Sequence, residues 1–135
     1  MKRYLLDTTP LAGLLLARPA IVTRVMPWMR SHEVATSILV YGEVTEHLRG
    51  LSQPSQRQAD LRTLLKEVYT YFLTYRILER YADIRRQLRP PHGPGLIGDI
   101  DTLIAATALE RNLTVVTMDS DFERVPDLKV MLLPR

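Results

Sequence analysis

The chain has 135 residues, 46% of them hydrophobic and 24% charged, proportions that predict one ordinary globular domain over 1–135 with a core of its own. It contains no cysteine, which excludes disulfides, thiolate zinc sites and cysteine nucleophiles and makes a reducing cytoplasm the natural compartment. The net charge of +3 is carried mainly by arginine, whose guanidinium fork matches phosphate, so a polyanionic partner is compatible with the charge without being required by it.

The N-terminal run Lys2-Arg3-Tyr4-Leu5-Leu6 is cut by Asp7 and Pro10 and is therefore not expected to be a secretion signal. No segment approaches the roughly 20 apolar residues that span a bilayer, and a soluble protein is expected. Tyr4-Leu5-Leu6 reads as a short strand, followed by the turn Asp7 to Pro10, in which Thr9 can cap a helix and Pro10 can take its first position. Helices are predicted over 11–17 and 20–30, divided at Pro19, then a weak strand at Val34-Ala35-Thr36. Ser37 is a suitable cap for a helix running to Arg49, with Gly50 just past its end.

The polar stretch Ser52 to Gln58 is expected to be a loop leading into a helix marked by Leu61, Leu64, Leu65, Val68 and Phe72. Tyr75-Arg76-Ile77-Leu78 is a strand candidate. Tyr81, Ile84 and Leu88 then mark one face of another helix, with Arg80, Arg85, Arg86 and Arg89 largely off that face. The run from Pro90 to Gly95, with three prolines and two glycines, must be a loop. An almost wholly apolar helix is predicted over 101–111, a buried strand over 114–117, a turn or short helix over 119–125 and a last strand over 128–132. Apolar strands alternating with helices imply a parallel sheet covered on both faces, so the fold class is a three-layer α/β/α domain.

In open parallel sheets the functional crevice lies outside the carboxyl ends of the strands. Asp7 follows the first strand directly, and Asp119 follows the strand ending at Thr117 by one intervening residue. Asp99 and Asp101 sit at the start of a buried helix, and Glu43 lies about two turns into the helix after Ser37, whose first residues, Ile38 to Tyr41, are too apolar to face water fully. These acids are therefore expected to converge. Two carboxylates about 5 Å apart repel by roughly 3 kcal/mol at an effective dielectric near 20, and a divalent cation relieves that cost. An all-oxygen donor set suits Mg²⁺ or Mn²⁺, one or two ions, with hydrolysis of a phosphate ester by a metal-activated water as the inferred chemistry.

Each acid alone has a plainer explanation. Asp99 or Asp101 could cap the helix or complement its dipole, Asp7, Asp119 and Asp121 could be turn formers, and Glu43 could be a half-exposed helix acid near His47. The constellation is what argues for a site. Two other functions stay open: phosphotransfer through an aspartyl-phosphate on Asp7, which wants a lysine where Lys2, Lys66 and Lys129 are poorly placed, and a binding module without catalysis. Arg85, Arg86 and Arg89 could track a phosphate backbone, and Tyr69, Tyr71 and Tyr75 could stack on bases. A solvated helix face and ordinary packing explain the same residues. His32, His47 and His92 lack a paired spacing for zinc.

Four segments also carry a resemblance: Tyr4-Leu5-Leu6-Asp7-Thr8, Ser37 to Glu43, Asp101 to Ala108, and Leu113 to Phe122. In this order and spacing the chain resembles PIN-domain ribonucleases, and within them the VapC-type toxins of toxin–antitoxin pairs, from Tyr4 to about Val130. The resemblance implies a four- or five-stranded parallel sheet, Mg²⁺- or Mn²⁺-dependent endoribonuclease activity on RNA, a homodimer and a small cognate antitoxin. It places Asp7, Glu43, Asp101 and Asp119 as the family acids that hold metal, with Thr117 as the hydroxyl residue beside them and Asp99 and Asp121 as supporting candidates. One departure is Thr9, where the family commonly has Asn or Ser; a hydroxyl remains, but not a bidentate amide. Residues 49–96 carry little of the family pattern, so the choice of RNA does not transfer.

Overall fold

The computed structural model describes residues 1–135. Five short strands form one parallel sheet in the order β3-β2-β1-β4-β5, with β1 Tyr4–Leu6, β2 Val34–Ser37, β3 Tyr69–Tyr71, β4 Thr114–Thr117 and β5 Lys129–Leu132. Between them run α1 Thr8–Leu15, α2 Pro19–Arg30, α3 Ile38–Arg49, α4 Pro54–Leu64, α5 Tyr75–Leu88 and α6 Asp99–Arg111, with a 3₁₀ turn at Ser120–Arg124. Helices α1 to α4 pack among themselves and α5 packs on α6, so two helical layers enclose the sheet as the apolar strands require. No helix is long and apolar enough to cross a membrane.

Leu5 and Leu6 of β1, Val34 and Ala35 of β2, and Val115 and Val116 of β4 are all fully buried. Residues pointing to opposite faces of a strand are buried together only when both faces of the sheet are covered. The central strand pairs Leu5 with Ala35 on one side and with Val115 on the other. The chain winds outward through β2 and β3, then crosses back to place β4 on the other side of β1. The order reverses between β1 and β4, and that reversal opens a crevice at the carboxyl end of the sheet.

Several boundaries differ from the sequence expectation. The segment 75–78 is the first turn of α5, not a strand. Thr74 caps that helix by accepting from the Ile77 N–H at 3.2 Å, and Ile77 joins Ile84 and Leu88 on the buried face. The third strand is instead Tyr69–Tyr71, inside the stretch expected to be helical to Phe72; α4 stops at Leu64. The β-favouring Tyr-Thr-Tyr run pairs with β2 in register, and a sheet edge satisfies its backbone groups where an amphipathic helix of weak periodicity does not. α4 also takes in the last five residues of the presumed loop, beginning at Pro54, which takes the first helical position. α1 begins at Thr8 with Asp7 as N-cap, not at Leu11 with Thr9 as cap. Ser37 caps α3 as expected, accepting from the Leu39 N–H at 3.1 Å.

Candidate active site

Asp7 leaves β1 at the centre of the sheet and is only 8% exposed. Its Oδ2 accepts from the Thr117 hydroxyl at 2.8 Å, and that hydroxyl in turn accepts from the Asp119 N–H at 3.0 Å. One buried threonine at the end of β4 thus ties the carboxylate after β1 to the backbone after β4, across the strand-order reversal. Glu43 comes from the second turn of α3, where Thr8 donates to its Oε1 at 2.5 Å. Asp119 Oδ1 accepts from the Asp121 N–H at 2.9 Å, closing the turn into the 3₁₀ segment.

Asp7, Thr8, Thr9, Glu43, Asp101, Met118, Asp119 and Arg135 line one open cleft of about 380 Å³. Folding therefore brings together the four acids singled out in the sequence, from β1, α3, α6 and the end of β4. None of the four takes part in a salt bridge with a lysine or arginine. Their mutual influence is direct. Burial, and then the charges of Asp7, Asp119, Glu43 and Asp121, push the Asp101 carboxyl up from 3.8 to about 7. The Asp7 carboxyl is raised too, first by burial and then by the charges of Glu43 and Asp119, with the Thr117 hydroxyl and the Thr8 N–H acting in the opposite direction. Such crowded carboxylates, held in no salt bridge, are the state that a divalent ion relieves.

No three His, Asp or Glu side chains close into a ready-made cage; the acids surround open space instead. That suits a hard ion that keeps several waters and takes one or two carboxylates directly, as Mg²⁺ does, better than zinc with its tight set of nitrogen and sulfur donors. The donor set fits Mg²⁺ or Mn²⁺.

The other candidates are placed elsewhere. Gly98 is the N-cap of α6, and neither Asp99 nor Asp101 makes a side-chain capping bond. Asp99 is turned toward α5, where its Oδ1 accepts from the Tyr81 hydroxyl at 2.9 Å and from Arg85 at 2.8 Å; it does not line the cleft. Asp121 pairs with Arg124 at 3.1 Å and reaches the site through its backbone bond to Asp119 and its field on Asp101. Arg85 is occupied by Asp99, while Arg86 on α5 and Arg89 just past its end are exposed and away from the cleft lining. Thr9 lines the cleft and is exposed.

Three residues of the cleft, Thr8, Met118 and Arg135, were not singled out from the sequence. Thr8 orients Glu43, a pairing across 35 positions that only the packing of α1 on α3 reveals. Arg135 arrives because the Leu133 N–H donates to the Thr117 carbonyl at 2.8 Å, extending the β5 pairing beyond its last strand residue and carrying the tail to the cleft's edge.

The chain matches the PIN domain family over residues 4–128. No curated protein is significantly similar in sequence. Among solved structures, VapBC2 from Rickettsia felis, bound to a promoter DNA fragment, matches with a TM-score of 0.84 at 22% identity, covering 97% of this chain and 98% of that one. DNA-bound VapBC from Salmonella typhimurium matches with 0.84 at 21%, covering 97% and 98%. VapBC-5 from Mycobacterium tuberculosis, a member of the VapBC family of toxin–antitoxin systems, matches with 0.69 at 20%, covering 98% and 100%. At these identities the likeness is one of fold.

Proposed function

The chain belongs to the PIN domain family, and from that premise we propose that it is a Mg²⁺- or Mn²⁺-dependent endoribonuclease, the toxin of a VapBC-type pair, restrained by a small cognate antitoxin. The observation that carries this reading is the meeting of Asp7, Glu43, Asp101 and Asp119, from four separate segments, in one cleft with no salt bridge to neutralise them.

Asp7, Asp101, Asp119 and Glu43 would hold one or two ions. A bound divalent ion supplies a water of lowered pKa and offsets negative charge on the phosphodiester. The chain's own residues do the positioning. Thr117 fixes the Asp7 carboxylate and the Asp119 backbone in a single hydrogen-bonded unit, and Thr8 holds Glu43 against α1. Asp101, raised to about 7 by burial and the neighbouring acids, is partly protonated near neutrality in the metal-free chain, and a divalent ion held beside it would favour its charged form. No side chain is needed as nucleophile.

The aspartyl-phosphate alternative is disfavoured by the same cleft. No lysine lines it, since Lys2 donates to the His32 carbonyl and Lys129 to Asn112. The remaining expectations, a single PIN-like domain, a homodimer and a cytoplasmic location, accompany the proposed toxin role.

The decisive experiment incubates the purified chain with RNA in EDTA, Mg²⁺ or Mn²⁺, beside Asp101→Asn. Internal cleavage only with the divalent ion, and lost in the variant, is expected. Cleavage in EDTA, or equal cleavage by the variant, overturns the assignment; no cleavage by the native chain under any condition favours the non-catalytic binding module.

A further inference from the structure

Beside the acid cleft lies a second, largely apolar groove of about 510 Å³ between α3 and the start of α6, lined by Ile38, Leu39, Gly42, Glu43, Glu46 and Ile100. Glu43 belongs to both hollows, and Ile100 is the residue immediately before Asp101, so one side chain separates the groove from the candidate metal site. Ile100 is 41% exposed, at the head of a helix whose middle, Ile104 to Ala108, is buried. Gly42 and Glu46 are one helical turn apart on the same face of α3, and both are exposed.

We propose that this groove is the subsite for the nucleobase next to the scissile phosphate, and that Glu46 selects bases carrying an exocyclic amino group over uracil. The inference rests on the endoribonuclease reading of the acid cleft. The volume falls within the roughly 300–1,000 Å³ of sites that take small organic groups. The character of the lining narrows the occupant. Ile38, Leu39 and Ile100 offer an apolar surface to a flat ring. Glu43 and Glu46 at the rim repel phosphates, whereas the cations that the acid cleft would hold attract them, so the backbone of a bound strand would run along the cleft while the base lies here. A carboxylate accepts hydrogen bonds and cannot donate them, so Glu46 pairs with the amino groups of cytosine, adenine or guanine and opposes the carbonyl edge of uracil.

Gly42 makes the test clean. A Cβ added there would have nothing within 4 Å, so a larger side chain fills the groove without disturbing the core, and replacing a helical glycine favours the helix. The probes are four single-stranded RNAs differing only at the base flanking one cleaved bond. Their affinities are measured in Ca²⁺, and kcat and KM in Mg²⁺ or Mn²⁺, for the native chain, Gly42→Leu, Gly42→Ala and Glu46→Ala, with a thermal melt of each. The native chain should prefer the three amino-bearing bases to uracil by fivefold or more. Glu46→Ala should flatten that preference. Gly42→Leu should weaken binding and raise KM at least tenfold with an unlowered melting temperature, and Gly42→Ala should restore it.

If the native chain cleaves RNA but shows no base preference, or if Gly42→Leu binds and cleaves as the native chain does, the subsite is overturned and the nuclease assignment stands. If base-selective binding responds to both positions but nothing is cleaved, the subsite stands and the nuclease assignment falls. If Gly42→Leu leaves RNA binding intact and loses only a protein partner, the groove is a protein-docking surface and the subsite is overturned.

Discussion

Replacing Asp101 by Asn should stabilise the metal-free chain while destroying its activity, an outcome peculiar to an acid held in a repulsive site. Its carboxyl is raised from 3.8 to about 7, by burial first and by the neighbouring acids second. An acid whose folded pKa exceeds its unfolded value binds more protons when folded, so its favourable contribution is complete below about pH 4 and is lost as pH climbs toward 7. The rise from 3.8 to about 7 corresponds to at most about 4 kcal/mol. Asp101 is only partly buried and sits in the first turn of α6, where its charge gains about 0.3–1 kcal/mol from the helix dipole. A net gain of about 1–2 kcal/mol on removing the charge is the realistic expectation. For a chain of this size that is roughly 3–8 °C in melting temperature. Melts of native chain and variant in EDTA at pH 8 should show this gain, and it should shrink steadily as pH is lowered toward 4. Saturating Mn²⁺ should reverse the ranking, because an ion present at 100 times its Kd stabilises only the native chain, by about 2.7 kcal/mol. A variant melting at or below the native chain at pH 8 in EDTA would refute the repulsive-cluster account.

Thr117→Val should remove the hydroxyl that serves both Asp7 and the Asp119 N–H, costing about 1–3 kcal/mol and most of the cleavage activity, measured by denaturant titration and RNA turnover. Arg85→Ala breaks an ion pair whose Asp99 partner is well exposed; the stability loss should stay below about 1 kcal/mol and cleavage in excess Mg²⁺ should remain within twofold of native, which a phosphate-tracking role would not permit. At Gly93 an added Cβ would lie 2.0 Å from the Gln87 carbonyl oxygen, a backbone atom that cannot swing aside. Gly93→Ala should therefore cost about 1–3 kcal/mol as an overpacked contact does, checked by a shifted denaturation midpoint with an unchanged slope.

The strand termini that matter were legible because chemistry and punctuation coincide there. Tyr4-Leu5-Leu6, cut off by Asp7, and Thr114 to Thr117, with two valines at its centre, both became strands with those bounds. The edge strand was not legible. Tyr69–Tyr71 and the start of α5 at Tyr75 contain similar residues, and what separates them is pairing with β2 in one case and a Thr74 cap in the other. Local propensity in so short a segment is weaker than a shared ladder or a cap.

The sequence by itself determined that Asp7 and Asp119 would follow strands, that Asp101 would stand at the head of a helix and that Glu43 would lie inside a largely apolar one, because apolar periodicity and its interruptions reflect which residues water must be kept from. Only the tertiary structure decided which neighbours those acids acquired. Asp99 and Asp101, two positions apart, diverge to Arg85 on one side and to the cleft on the other, since successive positions on a helix face different directions. Thr8 meets Glu43 and Thr117 meets Asp7 across 35 and 110 positions, and the groove beside Glu43 exists only where α3 and α6 come together. Such contacts depend on the relative placement of whole elements, which is set by the summed packing of the core rather than by any residue's own preference.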